Sequence, residues 1–428
     1  MTRLRRLGHD TFVSLHNPNY RLYFFGQAIS LVGTWMQTIA QSYLVFQLTN
    51  SGTDVGLVVA LQTLPVMLLG PYGGVVADRV DKRRLMVVLQ SAMGVQALVM
   101  GVLTVTHVVT MWEIGLLAVI LGLNNTFENP ARQTFVLEMV GPANLRNAVT
   151  LNSVLVNVAR AVGPAAAGLI IDAGGLGVCF LINAASFVAV VSSLLRMDLA
   201  ALNPSTPTRR AKGQLREGLR YVRREVGLGV PLLMMAIVGC LAYEFQVTLP
   251  VVAARAFDGG ARTYGFMTAS MGVGAVVGGL WAAGRGKTGL ASMVRSSVVF
   301  AVVIAAASLA PDLGLEIVAL AAVGAASVTF LSKGNTTLQL AADPQMRGRV
   351  MALWAVAFLG STPIGGPVAG YVSQHVGSRW GLGLGAFACA VAALLGASVL
   401  RRVRRPVAAV EGEAVDEVEG PVLEAARR

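Results

Sequence analysis

Twelve long apolar runs, divided by short polar breaks, occupy almost the whole chain. In the first half they cover roughly 20–47, 55–77, 85–106, 111–139, 145–172 and 176–197. In the second half they cover roughly 228–254, 263–284, 290–310, 314–341, 348–375 and 379–401. A helix needs about 20 residues to cross the hydrocarbon of a bilayer. That medium cannot hydrogen-bond the backbone, so a run of this length satisfies itself only as a helix. The pattern predicts an all-α polytopic membrane protein with 12 transmembrane helices.

The second half can be laid on the first at a constant offset. Thr126-Phe127 then falls on Thr329-Phe330, Thr134 on Thr337, Arg146 on Arg349, and Gly163-Pro164 on Gly366-Pro367. The matches run without a gap through crossings four and five against ten and eleven. They predict two six-helix bundles related by a pseudo-twofold repeat. The expected divisions are 1–197 for the N-terminal bundle, 198–226 for a linker, 227–402 for the C-terminal bundle and 403–428 for a tail. In the linker, Ala211, Leu215, Leu219, Val222 and Val226 share one helical face with basic residues around them. An amphipathic helix lying on the inner leaflet is expected there. The acidic tail is expected to be disordered.

Composition sharpens this picture. Only 13% of the 428 residues are charged, about half the usual share of a soluble protein. The net charge of +12 could point to nucleic acid, but its placement excludes that reading. Almost every basic residue falls on one side of the predicted membrane; only Arg255, Arg262 and Arg379 fall on the other, and Arg132, Arg160 and Lys333 lie within spans. This is the positive-inside bias, and it predicts a multi-pass plasma membrane protein with both termini cytoplasmic. The three cysteines all sit in apolar runs and imply no disulfide framework. The N-terminus shows no cleavable leader pattern. The four histidines are scattered at ends and loops, so neither a metal site nor a catalytic cluster is expected. Gly286-Lys287-Thr288 lacks the first glycine and the preceding strand of a nucleotide loop. The chain is expected to be no enzyme and to need no cofactor.

Polar residues inside the runs are the candidates for function. Crossing one carries Gln27, Ser30, Thr34, Gln37 and Gln41 at alternating steps of three and four, hence on one face. That face lines a substrate cavity, or it is a helix seam held by amides. Crossing four carries Asn124, Asn125, Glu128 and Arg132. Glu128 and Arg132 stand one turn apart in the favourable order, near mid-membrane. Glu128 is either a proton-binding group or half of a static ion pair. Crossing five carries Asn152, Asn157 and Arg160, then Gly163 and Pro164, which permit a kink and close helix approach. Arg160 is too deep to reach water easily, and Glu128 is its expected partner. In the second half, Glu244 and Lys333 are the deep charges, with Tyr243 next to Glu244; the two are expected to pair across the bundle and respond to protonation or substrate, or to form a structural bridge. Met267 and Met271 supply an adaptable apolar wall, or ordinary packing.

One loop and three shorter motifs add a family resemblance. The loop between crossings two and three reads Gly74-Val-Val-Ala-Asp78-Arg79-Val-Asp81-Lys82-Arg83-Arg84. It resembles the corresponding loop of the major facilitator superfamily, with Asp81 standing where that pattern has its second glycine. Asn17-Pro-Asn-Tyr-Arg-Leu-Tyr-Phe and Glu128-Asn-Pro-Ala-Arg132 are similar to the enterobactin-exporter subgroup, the transmembrane secretion effector type. Gly163-Pro164 resembles a helix-five signature of superfamily antiporters. The resemblance implies alternating access by two rocking bundles around a central cavity. It implies a cytoplasmic gate at Gly74, Asp78, Arg79 and Arg83; the proton-coupling candidates Glu128, Arg132, Arg160, Glu244 and Lys333 rest on their depth in the membrane and not on the resemblance. The expected task is export of a small amphiphilic molecule (a drug, siderophore or secondary metabolite). The expected partners are that substrate, protons and the lipid bilayer, with a monomer as the working unit. A lipid or lysolipid translocator, or a small-solute importer, would use the same fold.

Overall fold

A computed structural model describes residues 12–203, 214–283 and 288–425 of the chain, and among them there is no strand. The first half holds α1 (Pro18–Thr49), α2 (Gly52–Arg79), α3 (Lys82–Val105), α4 (Met111–Gly174) and α5 (Leu176–Leu195). A linker helix α6 (Gln214–Arg224) follows. The second half holds α7 (Val226–Leu241), α8 (Phe245–Phe257), α9 (Ala261–Ala283), α10 (Leu290–Ser308), α11 (Leu313–Ala341), α12 (Arg347–Leu359), α13 (Thr362–His375) and α14 (Trp380–Ala425). The acidic stretch expected to be disordered continues α14; side chains beyond Arg402 lie outside the description.

Among the described residues, ten stretches are long and apolar enough to span a bilayer. Two adjustments bring this to the twelve crossings expected. The first is α1, which its polar face keeps out of the ten. The second is α4, which at 64 residues is about three times the length one crossing needs. It breaks at Gly141, whose φ of 69° and ψ of 172° suit only glycine, with Pro142 directly after. The two limbs of α4 are crossings four and five. Two other crossings are interrupted: α7 and α8 join through Ala242–Glu244, and α12 and α13 through Gly360–Ser361. With an even number of crossings both termini share one face of the membrane, here termed the terminal face.

Local chemistry explains the motifs that the sequence displayed. Asn17 caps α1, accepting the Tyr20 N–H at 3.1 Å, and donates Nδ2 to the Met139 carbonyl at 2.7 Å. Asn19 exchanges two hydrogen bonds with the Asp198 backbone, and the buried Tyr20 hydroxyl donates to the Ala148 carbonyl at 2.9 Å. The Asn-Pro-Asn-Tyr stretch therefore fastens the start of α1 to α4 and to the chain after α5. Asp81 caps α3, accepting the Arg84 N–H at 2.8 Å, which a glycine could not do.

The halves meet where glycines let backbones touch. Gly52 and Gly56 of α2 lie against Gly370 and Gly366 of α13. Gly265 and Gly272 of α9 lie against Pro164 and Ala161 in the second limb of α4. Both lines of contact lie toward the face away from the termini. The repeated Gly-Pro pairs, Gly163-Pro164 and Gly366-Pro367, thus sit at or beside the seam between the halves. Backbone angles stay helical at Gly163-Pro164, and the departure from helical angles within α4 lies at Gly141. Gly163 permits close approach, since a Cβ would meet the Val32 carbonyl of α1 at 2.9 Å.

Candidate functional site

The polar face of α1 turns inward, and its amides are used within the N-terminal half. Gln37 Nε2 donates to Gln96 Oε1 of α3 at 2.9 Å, and Asn183 Nδ2 of α5 donates to Gln37 Oε1 at 2.6 Å. Gln41 Nε2 donates to Gln62 Oε1 of α2 at 3.3 Å. Gln27, Ser30, Gln37 and Gln41 are all buried. Gln27 Oε1 has no described hydrogen-bond partner. Around the middle of this row lies a cavity of about 40 Å³, lined by Thr34, Gln37, Gln41, Gln62, Gln96, Asn125 and Asn183 among others. That is room for a few waters. Of the two readings of the stripe, contacts favour the amide seam for Gln37. The periodicity identified the buried face, and the missed partners Gln62, Gln96 and Asn183 were legible as amides inside apolar runs.

The hydrogen bonds of Gln37 are buried on both sides, so Gln37→Leu leaves two amides short of a partner. It is expected to lower stability by about 1–3 kcal/mol, read as an earlier unfolding midpoint in detergent. An unchanged midpoint would show that water in the cavity replaces the amide.

One turn from Asn125, Glu128 is buried and held from two sides. Gln90 Nε2 of α3 donates to its Oε1 at 3.3 Å, and Arg132 Nε stands 3.0 Å from the same oxygen. That approach is an ion pair rather than an aligned hydrogen bond, since Arg132 Nε lacks a hydrogen-bond partner by geometry. Arg132 Nη2 also donates to Asn129 Oδ1 at 3.1 Å. The hydroxyl of buried Tyr23 takes no described hydrogen bond. Asn124 is spent on the Ile120 carbonyl at 3.1 Å.

Arg160 does not take the partner expected for it. Its guanidinium carbon lies 5.0 Å from the ring centroid of Trp35 on α1, a cation–π contact, and its Nε has no described hydrogen bond. Glu128 is already engaged by Arg132 on its own helix, a reach that needs no neighbouring element. Asn157 Nδ2 donates to the Ser153 carbonyl at 2.8 Å, and Asn152 is half-buried nearby.

In the second half, Glu244 occupies the interruption between α7 and α8. It is buried beside Thr362 and packs against Gly365 and Gly366 of α13, where α2 also arrives. Its Oε1 has no described hydrogen bond. The two interruptions face each other: the Cys240 thiol lies 3.7 Å from the Ser361 carbonyl. Tyr243 donates its hydroxyl to the Ser327 carbonyl of α11 at 2.8 Å and packs its ring on Phe300 and Phe358. Lys333 is half-buried on α11. Met267 is fully buried, and Met271 is a half-buried side chain packed against the same core.

At the loop between α2 and α3, Arg83 Nε donates to the Leu194 carbonyl at 2.7 Å, and Nη2 to the Leu195 carbonyl at 3.0 Å. It closes the end of α5 in its own half and does not reach across the seam. Gly74 is buried and Arg79 exposed; the side chain of Asp78 lies outside the description. A pair unforeseen from sequence lies beside them. Lys82 Nζ meets Glu138 Oε1 at 2.7 Å, both nearly inaccessible to solvent. An acid near the end of an apolar run, facing a basic loop, was the available signal. Glu316 was also overlooked: it is fully buried in the first turn of α11.

The profile of one family, described as transmembrane secretion effector, matches residues 9–426. The chain is 28% identical to an uncharacterized transporter of the major facilitator type, YfiS of Bacillus subtilis, over 54% of this chain and 56% of that one. It is 23% identical to the staphyloferrin A transporter of Staphylococcus aureus over 60% of this chain and 64% of that one. In both cases the match spans less than two thirds of the relative. With the enterobactin exporter EntS of Shigella boydii the identity is 27%, over 91% of this chain and 94% of that one. A bacterial homologue of the human lysosomal transporter Spinster, inward-facing and unoccupied, shares the fold at a TM-score of 0.70 and 13% identity, over 89% of this chain and 96% of that one. Twelve crossings in two halves and a family match of nearly full length agree, and the chain belongs to the transmembrane secretion effector family of major facilitator transporters.

Proposed function

We propose that this chain is a proton-coupled exporter of small amphiphilic compounds, of the siderophore or drug-like class. It works as a monomer in the plasma membrane with both termini in the cytoplasm. The observation that carries the reading is the polar interior of the N-terminal half. An amide-lined cavity lies one helical turn from the buried Glu128–Arg132 pair. Ionisable groups at that depth are expensive and are kept where protons or ions must pass. The names of two relatives, an enterobactin exporter and a staphyloferrin A transporter, support the siderophore class. The bias of basic residues toward the loops of the terminal face supports the orientation. Glycine contacts between the halves suit a rocking motion.

The test is flux in proteoliposomes under imposed pH gradients of both signs, with siderophores and cationic dyes as substrates. The reading expects uptake into inside-out vesicles when the lumen is acid. Transport of every substrate tried that ignores the gradient would overturn proton coupling. Uptake in the reverse sense would overturn export.

A further inference from the structure

Every helical hairpin leaves backbone groups unpaired at its bend: carbonyls where the first helix ends, N–H groups where the second begins. At the bend between α1 and α2 some of these are satisfied from the other half of the molecule. α1 ends on Asn50, in the left-handed conformation with φ 50°, and has no basic residue of its own in its last turn. Arg255, in the last turn of α8, donates Nη2 to the Asn50 carbonyl at 2.7 Å. Its guanidinium carbon lies 5.8 Å from the ring centroid of Phe46, one turn back on α1. A cation from the second half thus sits at the negative end of the α1 dipole. Gln374, near the end of α13, accepts the N–H of Gly52, the first residue of α2, at 3.0 Å. Arg255 Nη1 also reaches the Gln374 carbonyl at 3.4 Å, joining the two contacts. Directly beneath, Gly52 meets Gly370 and Gly56 meets Gly366.

We propose that Arg255 and Gln374 are the gate residues that close the seam on the face away from the termini, by capping α1 and α2 across it. Arg255 is exposed, so its bonds exchange readily with water and the closure is reversible. Arg255 is also one of the three basic residues on the minority side of the charge pattern. The cap gives its position a use that topology does not. The closure rests on alternating access, the premise of the proposed function, but not on the substrate, the direction or the coupling ion.

The measurement is the distance distribution between spin labels at Val108→Cys and Leu309→Cys, one in each half and both exposed, in otherwise cysteine-free full-length protein. It needs no substrate and no gradient, so a failed flux assay leaves it readable. Arg255→Gln combined with Gln374→Ala is expected to raise the open-to-closed ratio at that face about tenfold, which corresponds to about 1.4 kcal/mol. Gln374→Glu keeps the acceptor, and a carboxylate suits the start of α2 better, so it is expected to shift the ratio the other way. Arg262→Gln removes a neighbouring charge that does not touch Asn50 and is expected to change nothing. Unchanged distances in the double variant overturn the proposal, as does an equal shift from Arg262→Gln. If the double variant does not fold, Gln374→Glu decides: a shift toward closed supports the cap, and no shift or an opposite one overturns it.

Discussion

Glu128→Gln is expected to reduce gradient-driven flux to that of protein-free vesicles while the protein still folds. The amide has the shape of the acid it replaces. It can still accept from Gln90 Nε2, and Arg132 keeps its bond to Asn129 Oδ1. What disappears is the capacity to gain and lose a proton. If the carboxylate only neutralises Arg132, the outcome differs. Breaking a buried ion pair by removing one charge costs about 3–5 kcal/mol, so stability would fall sharply while gradient-driven flux per folded molecule stayed normal. Flux and unfolding midpoint measured on the same preparation separate these outcomes. Normal gradient-driven transport in a folded Glu128→Gln protein would remove this residue from the coupling route.

The second large effect belongs to Lys82 and Glu138. Their contact at 2.7 Å is shielded from solvent on both sides, so neither charge can recover hydration when the other is removed. Lys82→Ala or Glu138→Ala alone is expected to cost about 3–5 kcal/mol. Lys82→Met with Glu138→Leu fills the space with apolar atoms and is expected to cost much less than the two single changes together. Chemical denaturation of the four proteins gives the coupling energy directly. Additive losses would mean that each residue acts through other neighbours. The pair lies beside the loop that the family pattern marks as a gate. Its stability role can be told from gating because the double variant should restore the fold whether or not transport returns.

The large features were legible because they follow from one-dimensional rules. Hydropathy marked the crossings, and the repeated Gly-Pro pairs marked two helices that meet the opposite half. The spacing of Gln27, Ser30, Thr34, Gln37 and Gln41 correctly identified one buried face of α1. It could not say which neighbour that face would meet, and Gln96 and Asn183 were invisible to a periodicity argument. Arg160 shows the same limit. Depth demands a partner, and the mid-membrane acid of the preceding crossing, Glu128, is the one that sequence offers, whereas Trp35 supplies a ring at 5.0 Å. The interruption at Ala242–Glu244 had no proline or glycine at the break to announce it. It arises where α7 meets the break between α12 and α13, a tertiary cause with no local signature. Asp81 illustrates the reverse: a departure from the family pattern that capping chemistry explains at once.

The amides of α1 also constrain how the protein is made. Gln37 is bonded to Asn183, 146 residues further along the chain. At ordinary synthesis rates that partner emerges on the order of ten seconds later. During that interval the first segment, too polar to count among the ten apolar stretches, must remain beside the insertion machinery or in contact with water. Its settled place in the lipid is fixed only when the sixth segment arrives, so assembly of this half is completed late rather than helix by helix.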